Sequence, residues 1–437
     1  MTTPSPAARG PISGLEQGIL RAHRPRWAEL LPWAIAIAVF FLFPGYRVLA
    51  TQILVLILFA VSLDLLVGYA GIVSLGHTAL FGTGAYVAAI LASDPQIGGV
   101  SVGLGWGEPL SAVALGALIA ALVGLVTGWV ILRTHGLTLL MLTLAFTIML
   151  HEAANDFDGI TGGFDGINFS NDKILGTFAF DPVWYGVNYW YAFAVLLLGF
   201  IVARVIVYSA FGRSLVGIRE NTRRMHAIGT PVHWRMVTIY AISAALAGAA
   251  GAVWVQIQGN VTTAVYSFEL AGDVLIMVIL GGTGRLYGAV VGTIVFKLLE
   301  SLTEQILGTN EPYWQFVIGV VLVLTVLFAR RGLFGIFEDL TPYWRRRIYL
   351  VGAVGAVLIV VGRLFGASIN EWFAGPDGEP VFSLTRLAWI LLAAIFVLSS
   401  WRGLLSGCTE AIARVAHKSG ISRNSDADAL ARDDKVA

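Results

Sequence analysis

The chain has 437 residues and is short of charge. Asp, Glu, Lys and Arg make up only 13% of it, about half the roughly 25% of a soluble protein. Its 28 basic and 27 acidic residues leave a formal net charge of +1, which excludes a basic nucleic-acid binder. Cys408 is the single cysteine, so disulfides within the chain and cysteine metal clusters are excluded. There is no GxxxxGKS/T loop, no GxGxxG after a soluble strand and no GxSxG elbow. His151 and Glu152 are adjacent, but no HExxH follows. Nothing specific supports an enzyme, and no catalytic residue, metal or cofactor bound by this chain is expected.

What is present is apolar sequence. Hydrophobic residues make up 57% of the chain and the mean hydropathy is +0.79. A soluble surface cannot be coated with so little polar material. A membrane crossing needs about 20 apolar residues at 1.5 Å each. Runs of that kind lie at 28–45, 48–68, 74–92, 109–131, 136–152, 189–208, 236–257, 287–306, 313–329, 348–365 and 384–401. A half-length run, 271–280, is counted as a twelfth crossing, broken at Gly281–Gly282. The runs are continuous rather than alternating, so a β-barrel is excluded. The fold class expected is an all-α, polytopic membrane helix bundle. The first run follows a long leader with no cleavage site after it and is expected to be a retained anchor.

The few charges orient it. With residues 1–27 inside, the inner segments are 1–27, 69–73, 132–135, 209–235, 281–286, 330–347 and 402–437. They hold 22 of the 28 Lys and Arg, a positive-inside pattern with both termini in the cytoplasm. Dropping the crossing at 271–280 would put Arg330, Arg331 and Arg345 to Arg347 outside. Residues 418–437 are polar and aperiodic and read as a disordered tail.

Glycine inside apolar runs is the unusual feature. One cluster holds Gly68, Gly71, Gly76, Gly82 and Gly84; the other holds Gly281, Gly282, Gly284, Gly288 and Gly292. Most such glycines serve close helix packing. These clusters also interrupt helices next to polar groups, and unwound backbone at membrane depth must be buried in protein or line a wet cavity. One interrupted segment in each half of a chain points to a transport path. The expected path or gate residues are Gly68, Gly71, Ser74, His77, Gly82, Gly84, Gly281, Gly282 and Gly284. Asp64 is an intramembrane carboxylate, a functional candidate that could also cap the turn before Gly68. His77 is expected to hydrogen-bond at the start of its helix, and Lys297 and Glu300 to form a local i,i+3 ion pair. The basic loop 209–235 carries helical apolar spacing through Leu215, Ile218, Met225 and Ile228, ended by Gly229 and Pro231. Such a helix lies on a membrane or docks into a partner's groove.

Four stretches occur in an order that identifies a family. They are GYAGIVSLGHTALFGTGAYVAAIL at 68–91, TLAFTIML and TGGFDGI within 143–167, FGRSLVGIRENTRRMHAIG at 211–229, and SFELAGDVLIMVILGGTGRLYGAVVG at 267–292. Over residues 28–337 the chain resembles the permease subunits of branched-chain amino-acid ABC importers, of the LivM-like branch. The resemblance implies an importer of branched-chain or related small amino acids in a bacterial inner membrane. It implies a second related permease, two cytoplasmic ATPase subunits that bind ATP and Mg, and a periplasmic substrate-binding protein. It makes the helix at 219–229 the ATPase-coupling element, with Arg219, Glu220, Ala227 and Gly229 as the matching residues. Relatives carrying urea or short-chain amides are an alternative, and an ion-coupled transporter using Asp64 is another. The family more often has Asn at position 64. It also usually ends near residue 339, which leaves an additional two-span module at 338–403, a tail at 404–437 and a leader at 1–27.

Overall fold

A computed structural model describes residues 31–93, 96–97, 100–101, 108–169, 186–307 and 319. The chain divides into two units, 1–339 and 340–437, and every described residue lies in the first. The leader 1–27, the two-span module 338–403, the tail 404–437 and, Gly319 apart, the span expected at 313–329 lie outside the described residues.

Twelve helices carry the described fold. They are α1 (Leu31–Leu42), α2 (Arg47–Asp64), α3 (His77–Ala92), α4 (Pro109–Ile131), α5 (Leu137–Asp156), the single turn α6 (Asp158–Thr161), α7 (Gly186–Tyr208), α8 (Ala210–Glu220), α9 (Thr222–Ala227), α10 (Val232–Gln258), α11 (Phe268–Gly281) and α12 (Leu286–Leu307). Their ends follow local chemistry. Pro109 opens α4 at the position where its missing N–H costs nothing. Gly259, at φ 73°, closes α10 in the left-handed region. Within the apolar helices, Thr51, Thr83 and Thr127 each return their hydroxyl to the carbonyl four residues back, all at 2.7 Å. That leaves those hydroxyls satisfied without water. Two antiparallel ladders of two residues per strand lie between helices: β1 (Gln96–Ile97) with β2 (Val100–Ser101), and β3 (Ile167–Asn168) with β4 (Asn260–Val261).

Not every expected run forms a helix of spanning length. Among the described residues five stretches are long and apolar enough to cross a membrane: Arg47–Ala70, α4, α5, α7 and α10. The count rises to six if α11 and the start of α12 form one broken span. The run expected at 74–92 begins only at His77, because residues 71–76 are unwound, and α3 is 16 residues long. The half-length run at 271–280 is helix α11, 14 residues long, and α12 departs from it at 118°. The positive φ of Gly282 (106°) and Gly284 (78°) makes that turn.

Burial separates inner from outer helices. The most apolar window of Arg47–Ala70 is 83% buried and that of α10 is 67%, against 22% for α4 and for α5. Helix α4 buries Ala112, Gly116, Ala120, Gly124 and Gly128, one small residue per turn, against α10. Its other faces present Leu118, Leu122, Val126 and Val130 outward. An apolar exterior around a small-residue seam is the arrangement of helices packed in lipid.

Candidate functional site

Both glycine clusters are helix interruptions, and they meet. After Asp64, helix α2 widens into a π-helical turn over Leu65–Ala70 and stops at Gly71, φ 73°. The last carbonyls of a helix lack partners within it. The carbonyl of Gly68 receives its hydrogen bond from the Arg219 guanidinium of α8. The second interruption lies between α11 and α12, where the backbone N–H of Gly284 donates to Asp64 Oδ1 at 2.8 Å. The N–H of Arg285 also faces this carboxylate, as does the charge of Arg219. Gly68 and Gly284 touch backbone to backbone, and a Cβ on Gly68 would overlap both Gly284 and the Asp64 carboxylate. A Cβ on Gly71 would press on the Arg219 side chain, 2.7 Å from its Cγ. Asp64, Gly68, Gly71, Gly284 and Arg219 therefore form one junction from three separate parts of the sequence. Segments 69–73, 209–235 and 281–286, grouped inside by charge, share this end of the bundle.

The remaining path candidates make their contacts away from this junction. His77 stands on the first turn of α3, 2% exposed, stacked on Phe59 with ring centroids 5.5 Å apart. Its Nε2 is 2.8 Å from Ser62 Oγ and 3.4 Å from Ser243 Oγ. The Ser62 hydroxyl donates to the Phe59 carbonyl, and the Ser243 hydroxyl donates to the Ser62 carbonyl. Each hydroxyl then only accepts from the histidine, which assigns the proton to Nε2. His77 thus ties α3 to α2 and α10. Ser74 accepts from the N–H of Gly76 at 3.2 Å, inside the unwound stretch. Gly82 lies under the Tyr266 ring, and Gly84 meets Gly248 of α10. Gly281 packs on Gly288 and Gly292, not at the junction.

The basic loop folds as two helices rather than the single one expected. Ser209 caps α8 through Gly212 N–H at 3.2 Å, and Asn221 caps α9 through Arg224 N–H at 3.0 Å. Asn221 itself is extended (φ −156°, ψ 94°) and breaks the helix. Leu215 and Ile218 are each 1% exposed, whereas Ile228 is 69% exposed. Glu220, Ala227 and Gly229 are exposed. Lys297 and Glu300 form the expected ion pair, at 2.6 Å.

Residues 46–326 match the family described as branched-chain amino acid transport system / permease component. The chain belongs to this family. It is 26% identical over 306 residues to the high-affinity branched-chain amino acid transport system permease protein LivM of Salmonella typhimurium, covering 65% of this chain and 69% of that one. It is 25% identical over 281 residues to a probable LivM of Methanocaldococcus jannaschii, covering 59% and 75%. It is 22% identical over 289 residues to the related permease LivH of Escherichia coli, covering 64% and 90%. No solved structure matches. The LivM-like resemblance is thereby established, and the protein is a multi-pass membrane transport permease.

In this permease a cavity of ≈ 190 Å³ opens beside the junction, lined by Tyr69, Arg204, Tyr208, Arg285 and Tyr287 among others. It is below the roughly 300 Å³ of a small-molecule pocket, and we assign no substrate to it. Among the described residues no three His, Cys, Asp or Glu side chains gather as metal ligands. Two features were missed from the sequence. The small-residue ladder of α4 was visible as a repeat of four, 112 to 128. The contact of Asp64 with Gly284 spans 220 positions and left no local signal.

Proposed function

We propose that this chain is the permease subunit of an ATP-driven importer of branched-chain or related small amino acids, set in a bacterial inner membrane. ATP is hydrolysed on separate ATPase subunits, which engage the α8–α9 loop. A second permease of the family completes the path, and a periplasmic binding protein delivers the substrate. The observation that carries the reading is the reach of Arg219 from the basic loop onto the Gly68 carbonyl, beside the second interruption at Gly284. A push on α8 is thereby felt at both unwound stretches, the kind of backbone that borders transport paths. The chain carries no nucleotide-binding motif of its own, so an ATP-driven cycle would need such a contact. The Asp64 carboxylate is bonded to protein backbone, which argues against its use as a carrier of coupling ions.

The test is reconstitution. The permease is placed in proteoliposomes with candidate ATPases, a second permease of the family and a substrate-binding protein from the same organism. Uptake of leucine that requires ATP and the binding protein is expected. Uptake that runs on an ion gradient without the ATPases would overturn the reading.

A further inference from the structure

We infer that Asp64 and Arg219 act as a two-part clasp, holding both helix interruptions and α8 together so that they release as one unit. This deepens the importer reading and rests on it for its role in transport, but not for its geometry.

The clasp follows from where the charges stand. Helix α2 and its π turn end at the junction, and the carbonyl end of a helix carries partial negative charge. Arg219 meets it there, on the Gly68 carbonyl. Helix α12 begins at the same place, and its amino end carries partial positive charge. Asp64 meets that end, through the N–H of Gly284 at 2.8 Å. Each side chain thus satisfies one backbone group that a helix end leaves open. The Arg219 guanidinium also stands beside Gly284, its Nη1 3.3 Å from where a Cβ on Gly284 would lie. Gly68 cannot be replaced in this geometry, because any Cβ would fill the space where Gly284 and the carboxylate sit.

The links are therefore not independent. Withdrawing Arg219 orphans the Gly68 carbonyl and also removes a positive charge from the neighbourhood of Asp64, 0% exposed. A buried carboxylate without a counter-charge is strongly disfavoured, so its hold on Gly284 weakens as well. Arg219 is exposed as a residue, so a partner that displaces α8 can reach it. Asp64 and Arg219 are positioning residues in this scheme; neither is assigned a contact with substrate.

Hydrogen exchange on the full-length permease in nanodiscs tests this without any ATPase. The amides of residues 69–73 and 282–286 are followed in the wild type and in Arg219→Gln, Arg219→Lys, Asp64→Ala and Asp64→Asn. Arg219→Gln and Asp64→Ala are each expected to speed exchange roughly tenfold at both segments, while helices α4 and α10 keep their protection. Arg219→Lys retains the cation and Asp64→Asn retains the acceptor, and both are expected to stay closer to wild type. Faster exchange only at the segment bonded by the altered residue, or in neither, overturns the clasp. So does an equal rise throughout the bundle, which is general loosening. In the reconstituted importer, Arg219→Gln should lower leucine taken up per ATP hydrolysed. If uptake proves independent of ATP while both segments still respond, the importer reading fails and the clasp stands.

Discussion

Gly84 separates two roles that glycine plays in this fold, and Gly84→Ala is the perturbation that distinguishes them. Gly84 of α3, Gly116 of α4 and Gly248 of α10 meet where the three helices cross. A Cβ on Gly84 would overlap the backbone of Gly248, and one on Gly116 would lie 3.0 Å from the Gly84 carbonyl oxygen and 3.3 Å from Ala252 Cβ. Carbon atoms rest about 3.5–4.0 Å apart, and backbone has no rotamer by which to yield. The helices must part by about 1 Å or more to admit the methyl. Overpacking of this kind costs about 1–3 kcal/mol, and the upper end applies because both neighbours are main chain. Against it stands the gain of about 1 kcal/mol for Ala over Gly in a helix. The net expectation is destabilisation by about 2 kcal/mol.

Gly272 supplies the control, since it lies in helix α11 with no atom within 4 Å of an added Cβ. Gly272→Ala should keep the helix-forming gain alone and be more stable than wild type by up to about 1 kcal/mol. Reversible unfolding of both variants in mixed micelles, with transport measured per folded permease, compares them directly. The expected gap is about 3 kcal/mol, with transport per folded molecule of Gly84→Ala close to wild type. A Gly84→Ala permease as stable as Gly272→Ala would refute the close-packing reasoning. A stable variant that fails to transport would return Gly84 to the gate.

Three further outcomes follow from single contacts. Tyr191→Phe removes the phenol that donates to Gln256 Oε1 at 2.7 Å, and unfolding in micelles should show a loss of about 1 kcal/mol. Ser209→Ala removes the cap of α8 and should cost about 1 kcal/mol, read as faster exchange confined to residues 210–220. His77→Ala loses the bond to Ser62 and the stacking on Phe59, a cost of about 3 kcal/mol, while His77→Gln, which keeps an N–H donor, should recover part of it.

Much of the bundle was legible because membrane helices announce themselves by length. The run expected at 109–131 is helix α4 to the residue, since Pro109 starts it and the polar Arg133–His135 follows it. Interruptions were legible too, because glycine beside polar residues in an apolar run weakens the helix and gains nothing from lipid. What each glycine does was not legible. Gly84, Gly281 and Gly284 look alike in sequence, yet the first two receive neighbouring backbone and only Gly284 turns the chain at φ 78°. That difference depends on partners far along the chain. Asp64 illustrates the same limit, as its bond to Gly284 crosses 220 residues. The helix break at Asn221 had a local signal, a capping residue set inside a helical pattern.

The four residues expected to couple to an ATPase divide by direction, and the division bears on how the proposed loop contact would work. Helix α8 is fixed inward by Leu215 and Ile218, each 1% exposed, and by Arg219 on the Gly68 carbonyl. Helix α9 follows the extended Asn221 and, with the residues after it, leaves Ala227, Ile228 and Gly229 exposed. Gly217 and Met225 bring the two helices together, with a Cβ at Gly217 lying 2.9 Å from the Met225 sulfur. A protein that grips α9 from outside therefore moves α8 with it, because the seam between them is packed. Glu220, Ala227 and Gly229 are exposed, whereas Arg219 bonds the Gly68 carbonyl; under the proposed importer reading the first three would meet the ATPase and Arg219 would pass its motion to the bundle. A sequence motif groups the four residues, and among them Arg219 is the one with a hydrogen bond to an interrupted helix.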